Sequence, residues 1–171
     1  MNDAPETKPV RVITGCIADR RTRMTDELAK LLGTELKKAG FELMRHVVVK
    51  GEPQHVQALV SNVSTGNEAD AIVLFGGTGF GPRDHVCEAL DGIYERHIEG
   101  FGEAYRRLLR SELGVHAMLA RASAGVFDQC VVFALSGRNE DVRLAVEVLI
   151  APILSAAVDL AVGRPVASQP T

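Results

Sequence analysis

The stretch Ala71-Ile72-Val73-Leu74-Phe75-Gly76-Gly77-Thr78-Gly79-Phe80-Gly81-Pro82-Arg83-Asp84 decides the fold. Five consecutive apolar residues closed by a glycine turn read as a fully buried strand. A helix is expected to start near Val86. The glycines therefore fall at the carboxyl end of a strand in an α/β sheet, where open sheets of this class bind ligands. Glycine permits positive φ and close backbone approach, and successive free N–H groups form an anion nest. Arg83 adds a fixed positive charge. Asp84 adds a carboxylate that either holds Mg²⁺ beside a phosphate or caps the next helix, two compatible roles. The run is not a Walker loop, because no Gly-Lys-Ser/Thr follows, and its spacing is not the dinucleotide fingerprint. Taken alone, the spacing also suits a connection that only turns the chain.

Periodicity extends the pattern on both sides. Residues 10–14 read as a first strand and 15–24 as a polar, arginine-rich loop. A helix over 25–39 follows, with Leu28, Leu31, Leu32 and Leu36 on one stripe and Gly40 as its stop. Residues 41–49 form a second strand. Pro53 opens a second helix whose face carries Val56, Leu59, Val60 and Val63. Beyond the glycine run, a helix is expected over 100–113. Strands over 122–127 and 130–135 meet through the two-residue turn Asp128-Gln129. Asn139 is expected to cap a last helix with a stripe of Val146, Leu149, Ile150, Ile153 and Leu154, which Pro152 should kink. The sum is an α/β domain of three layers: a mostly parallel sheet with one antiparallel hairpin strand and helices on both faces. It spans 10–162, between flexible segments 1–9 and 163–171.

At 171 residues and 46% hydrophobic composition, the chain can bury the core of one domain. A net charge of −3 with no basic stripe excludes a nucleic-acid partner. The N-terminus lacks the apolar stretch of a signal peptide, and no apolar run approaches a membrane span, so no membrane partner is expected. Cys16, Cys87 and Cys130 form no Cys-x-x-Cys pair; an odd, scattered set points to reduced thiols in the cytoplasm. Cys87 and Cys130 read as core residues. Arg20, Arg21 and Arg23 suit either a solvated loop or a phosphate grip, and Arg106, Arg107 and Arg110 are expected to face water or a subunit partner.

Several motifs occur in a fixed order: Gly76-Gly77-Thr78-Gly79, Arg83-Asp84, Glu88-Ala89-Leu90, Glu99-Gly100-Phe101-Gly102-Glu103 and Arg121-Ala122-Ser123-Ala124-Gly125. Together they resemble the MoaB/MogA family of molybdenum cofactor biosynthesis proteins, over about residues 10–160 and most strongly over 75–126. The run 99–103 and the hairpin are closer to MoaB. The resemblance implies the molybdopterin-binding fold, a homo-trimer or hexamer, and molybdopterin as ligand. MogA-type members transfer AMP from ATP to the molybdopterin phosphate with Mg²⁺. Carried over, Gly76, Gly77, Thr78, Gly79, Arg83, Ser136 and Gly137 surround the phosphates, and Asp84 is the catalytic carboxylate and Mg²⁺ ligand.

The chain departs from the family's pattern at four places, and the first is the loop before the first helix, where Met24-Thr25-Asp26-Glu27 stands in place of the family's Asp-x-Ser-Gly. Lys50-Gly51-Glu52 stands where adenylylating members carry Pro-Asp, and Glu52 substitutes only if the backbone shifts by one residue. Ala120 replaces the serine of the Ser-Arg strand, and Ser136-Gly137 replaces Pro-Gly. Loss of one charge-stabilising donor typically costs about a hundredfold in rate. Two functions are therefore expected to compete. One is a MoaB-type protein that binds molybdopterin and adenylylates it with Mg-ATP. The other is a catalytically degenerate paralogue acting as a non-enzymatic binding or scaffold oligomer.

Overall fold

The computed structural model describes residues 8–20 and 22–166. Arg21 and the outer parts of both expected flexible ends lie outside the described residues.

Strand β3 (Ala71–Phe75) is the centre of the sheet. Its neighbours are β1 (Arg11–Ile17) and β6 (Cys130–Leu135), both parallel to it. Strand β2 (Glu42–Val49) lies outside β1, while β5 (Ser123–Phe127) and β4 (Arg96–His97) lie outside β6, giving the order β2-β1-β3-β6-β5-β4. Strand β5 alone runs against the rest, as the hairpin with β6 requires. Asp128 and Gln129 both have positive φ, 42° and 70°, so the turn has the backbone of a mirror-image hairpin connection matched to strand twist.

Side chains alternate across the sheet. Ala71, Val73 and Phe75 face α1 (Arg23–Lys38), α4 (Gly100–Leu113) and the C-terminal helix, whereas Ile72 and Leu74 face α2 (Pro53–Thr65) and α3 (Val86–Asp91). The three layers expected from the sequence are present.

Four local outcomes differ from the sequence reading. Strand β1 runs through Gly15 to Ile17, because it is paired on both sides: Gly15 lies opposite both Val47 and Leu74. A Cβ at Gly15 would come within 2.7 Å of Leu74 Cδ2, so the glycine marks close packing and not a strand end. Helix α1 starts two residues early, at Arg23, because Thr22 and Thr25 cap each other's backbone N–H groups. Asn139 is the first residue of α5 (Asn139–Ala145) and not its cap; Arg138 takes that place.

The fourth difference concerns Pro152. The expected kink takes the form of a π-helical turn at Val146–Ile150 ahead of α6 (Ala151–Ala161). Pro152 has no N–H and its ring would collide with the carbonyl one turn back, and a widened turn relieves both. The continuous helix Asn139–Ala161 is long and apolar enough to span a bilayer by composition, which the run lengths did not suggest. In this fold its stripe Val142, Val146, Ile150, Leu154 and Val158 is buried in the core.

Candidate functional site

The glycine loop leaves β3 with two consecutive left-handed residues, Gly76 at φ 96° and Gly77 at φ 66°. Only glycine adopts this pair without strain. Space imposes the same choice: a Cβ at Gly77 would approach Val86 Cγ2 to 2.7 Å, and one at Gly76 would approach Ile17 O to 3.0 Å.

Hydrogen bonding in the loop is unequal. Gly76 N–H donates to Leu135 O at 3.0 Å, which ties the loop to the end of β6. Val86 N–H donates to Gly77 O at 3.1 Å, so the first amide of α3 is already used. The N–H groups of Gly77, Thr78 and Gly79 make no hydrogen bond among the described residues. Gly77, Thr78 and Gly79 thus present three successive amides with no partner among the described residues, in the stretch where the sequence reading expects a nest, and Thr78 is 2% exposed. These three amides belong to the loop, ahead of the six-residue helix α3.

Asp84 closes the loop instead of capping α3, whose cap position is His85. Its Oδ2 accepts the Gly81 N–H at 2.9 Å, while its own N–H donates to Gly81 O at 3.0 Å. The other carboxylate oxygen remains open. Arg83 lies at the rim, 88% exposed, with Nη1 3.5 Å from Asp19 Oδ2.

Gly137, just past the end of β6, comes against this loop, with Ser136 beside it. A Cβ on Gly137 would sit 3.3 Å from Gly76 Cα. A polar chain that sequence reasoning missed lies beneath. The buried Tyr105 hydroxyl donates to Ser136 Oγ at 2.8 Å, and Ser136 Oγ donates to Asp141 Oδ2 at 3.0 Å. Burial raises the Tyr105 pKa, partly offset by Ser136. Arg138 Nε lies 3.4 Å from the same Asp141 oxygen, and Asp141 is 2% exposed. The only sequence signal was an acidic residue three positions into the last helix.

The β2–α2 turn also reaches the loop: a Cβ on Gly51 would lie 3.7 Å from Arg83 O. Glu52, the possible substitute carboxylate, turns away to His55 Nδ1 at 3.2 Å. Its pKa is lowered first by its own backbone N–H and then by His55. No group of three His, Cys, Asp or Glu side chains gathers among the described residues. Asp84 together with a ligand's phosphates is still a sufficient donor set for Mg²⁺, which usually keeps several waters and takes one or two carboxylates.

The other candidates fall outside the loop. Arg23 pairs with Glu27 on α1. Phe101 is buried edge-on against Phe133, with ring centroids 5.2 Å apart. All three thiols are free and buried; burial pushes Cys16 up to about 11 and Cys130 to about 12, which leaves both as unreactive thiols.

The sequence pattern described as "Probable molybdopterin binding domain" matches residues 11–156. The chain belongs to that family. Among its relatives, the molybdenum cofactor biosynthesis protein B of Bacillus subtilis is 36% identical over 154 residues, 90% of this chain and 89% of that protein. The protein of the same name from Escherichia coli K12 is 32% identical over 148 residues, 86% of this chain and 87% of that protein. A crystal structure of a molybdenum cofactor biosynthesis protein B superposes with a TM-score of 0.86 at 34% identity, over 92% of this chain and 98% of that one. This chain carries Gly76-Gly77-Thr78-Gly79 and Asp84, and Gly51 stands where the resemblance implies a carboxylate.

Proposed function

We propose that this protein is a cytoplasmic molybdenum cofactor biosynthesis protein of the MoaB type and that it binds molybdopterin with its phosphate on the glycine loop. The observation that carries this reading is the set of three unbonded amides at Gly77, Thr78 and Gly79, opposite Ser136-Gly137 at the carboxyl end of the sheet. Family membership and the similarity to the B proteins of molybdenum cofactor biosynthesis support the ligand. Arg83 supplies charge at the rim.

The experiment is a titration of the protein with molybdopterin. Arg83→Gln is the variant of choice, since its side chain is exposed and folding should not depend on it. The expected result is a roughly tenfold weaker affinity, about 1.4 kcal/mol. Unchanged affinity in Arg83→Gln and in a folded Gly77→Ala protein would sink the assignment.

Adenylyl transfer is a second reading, favoured by the Asp84 carboxylate held in the loop with one oxygen open. Asp84 would then hold Mg²⁺, which supplies positive charge across the phosphates of ATP. In the competing scaffold reading, the protein binds without chemistry. In both, it assembles as a trimer or a hexamer. The exposed Val115, Met118 and Leu119 beyond α4 are apolar surface suited to a subunit contact. Sedimentation at micromolar concentration tests the assembly; a monomer of 18.4 kDa alone would overturn it.

A further inference from the structure

Ser136 stands between the two residues that hold Gly76. Leu135 O accepts the Gly76 N–H at 3.0 Å, and a Cβ on Gly137 would lie 3.3 Å from Gly76 Cα. Gly76 leads directly into the amides of Gly77, Thr78 and Gly79. Groups that bind a ligand together must be held within about 0.5 Å of their working geometry by the residues behind them.

The Ser136 hydroxyl is engaged on both counts. It accepts from the hydroxyl of Tyr105, on α4, at 2.8 Å and donates to Asp141 Oδ2, on α5, at 3.0 Å. Tyr105 is fully buried and Asp141 nearly so. A hydroxyl carries one proton, so Ser136 has none left to offer a phosphate. Its side chain serves the turn and not the ligand.

Packing does not account for this chain of polar groups. Asp141 Oδ1 is buried with no hydrogen-bond partner among the described residues, and Arg138 Nε lies 3.4 Å from the other oxygen. A half-satisfied buried carboxylate is costly, and apolar residues of similar volume often fill such space with equal or better stability. Departures of this kind are expected at functional sites. This one lies under the turn that meets Gly76.

We infer that Tyr105, Ser136 and Asp141 are positioning residues for the anion site. They clamp the Ser136-Gly137 turn from below and so hold Gly76, and with it the three amides, in the geometry that receives a phosphate. The clamp does by hydrogen bonding what a proline at position 136 would do by fixing φ. The Ser136 N–H donates to no backbone carbonyl among the described residues, so a proline there breaks no ladder bond. The inference rests on the phosphate reading of the loop and adds what sets that loop's affinity.

The test is calorimetric titration of the full chain with inorganic phosphate, with a melting curve for each variant. Ser136→Ala should weaken phosphate about tenfold, and Ser136→Thr, which keeps the hydroxyl, should return it to within about threefold of wild type. Tyr105→Phe should weaken phosphate about fivefold when Ser136 is present. It should have no effect on phosphate in the Ser136→Pro protein, where no hydroxyl remains to be held and the ring fixes the turn. Asp70→Asn is the control, because Asp70 binds Arg11 just ahead of β3, at the opposite end of the sheet. It should lose stability and keep wild-type phosphate affinity. Wild-type phosphate affinity in folded Ser136→Ala and Tyr105→Phe proteins overturns the inference and leaves the loop assignment standing. So does an equal loss from Tyr105→Phe in both backgrounds, or a loss in Asp70→Asn that matches Ser136→Ala, since either would mean that affinity follows stability. If Ser136→Ala does not fold, the Tyr105→Phe comparison decides alone. A wild-type chain that binds no phosphate rejects the loop assignment and the inference together.

Discussion

Asp84 and Gly81 hold each other from both ends: Gly81 N–H donates to Asp84 Oδ2 at 2.9 Å, and Asp84 N–H donates to Gly81 O at 3.0 Å. The carboxylate is thus part of the loop's own backbone network. Side chains at the flanking positions would intrude on it. A Cβ at Gly79 would lie 2.7 Å from Asp84 Oδ2, and one at Gly81 would lie 2.8 Å away.

Gly79→Ala and Gly81→Ala should therefore displace the Asp84 carboxylate without touching the core. Each is expected to weaken phosphate binding about tenfold, about 1.4 kcal/mol, with a melting temperature close to wild type. The loop is exposed at Gly81, so a large loss of stability in Gly81→Ala would mean that the Asp84 contact holds the fold and not the site.

Gly77→Ala should behave differently. At φ 66°, with Val86 and Ile17 crowding the new methyl, it is expected to cost about 1–3 kcal/mol of stability as well as binding. Chemical denaturation measures the first and phosphate titration the second. Wild-type stability in this variant would contradict the loop geometry.

Ser136→Ala removes the link between Tyr105 and Asp141. Two buried polar groups then lose a partner, at about 1–3 kcal/mol for each left unsatisfied. A fall in melting temperature of several degrees is expected for a chain of this size. Tyr105→Phe should cost less, because Ser136 still donates to Asp141.

The Arg11–Asp70 pair sets a pH dependence. Burial by itself would raise the Asp70 pKa, but hydrogen bonds from the Arg11 side chain and backbone N–H outweigh it and hold the carboxyl below its ordinary 3.8. A depressed carboxylate stabilises the fold above its unfolded pKa, and the contribution disappears as pH falls through the folded value. Asp70→Asn is expected to lose about 1 kcal/mol at pH 7, allowing for the partial exposure of the pair. Its deficit against wild type should close as the pH falls below 3.8. A deficit that persists in acid would assign the loss to packing.

If the protein transfers adenylyl groups, Gly51→Asp combined with Ala120→Ser should raise pyrophosphate release from ATP with molybdopterin and Mg²⁺ by at least tenfold, a modest share of what one such donor can contribute. The new carboxylate would stand beside the Arg83 carbonyl, facing the loop. Asp84→Asn in that background should abolish the gain. A restored variant that binds molybdopterin and stays inert would leave the scaffold reading.

Much of this molecule follows from short-range preference. The apolar run 71–75 had to be a buried strand. The turn at Asp128-Gln129 and the glycine loop were legible because few residue types tolerate those backbone angles. The edge strand Arg96–His97 was not, since two residues carry no period; it exists because Arg96 and His97 pair with Val126 and Gly125. Gly15 misled for a related reason: glycine looks like punctuation, and only pairing with β2 and β3 on both sides makes it a strand residue.

By itself, the sequence determined the layers, the position of the glycine loop at the carboxyl end of β3 and the chemical types around it. Tertiary structure alone decided which of those groups are free. The amides of Gly77, Thr78 and Gly79 have no partner among the described residues, whereas the Gly76 N–H is bonded to Leu135 O and the Val86 N–H to Gly77 O. Asp84 serves the loop and not the helix, Tyr105 reaches Ser136 across 31 positions, and Arg106 turns into a cavity beside Arg121. Backbone preference is set by a residue and its neighbours along the chain. Hydrogen-bond satisfaction is an account over everything brought within about 3 Å, and it is settled only when the distant segments have come together.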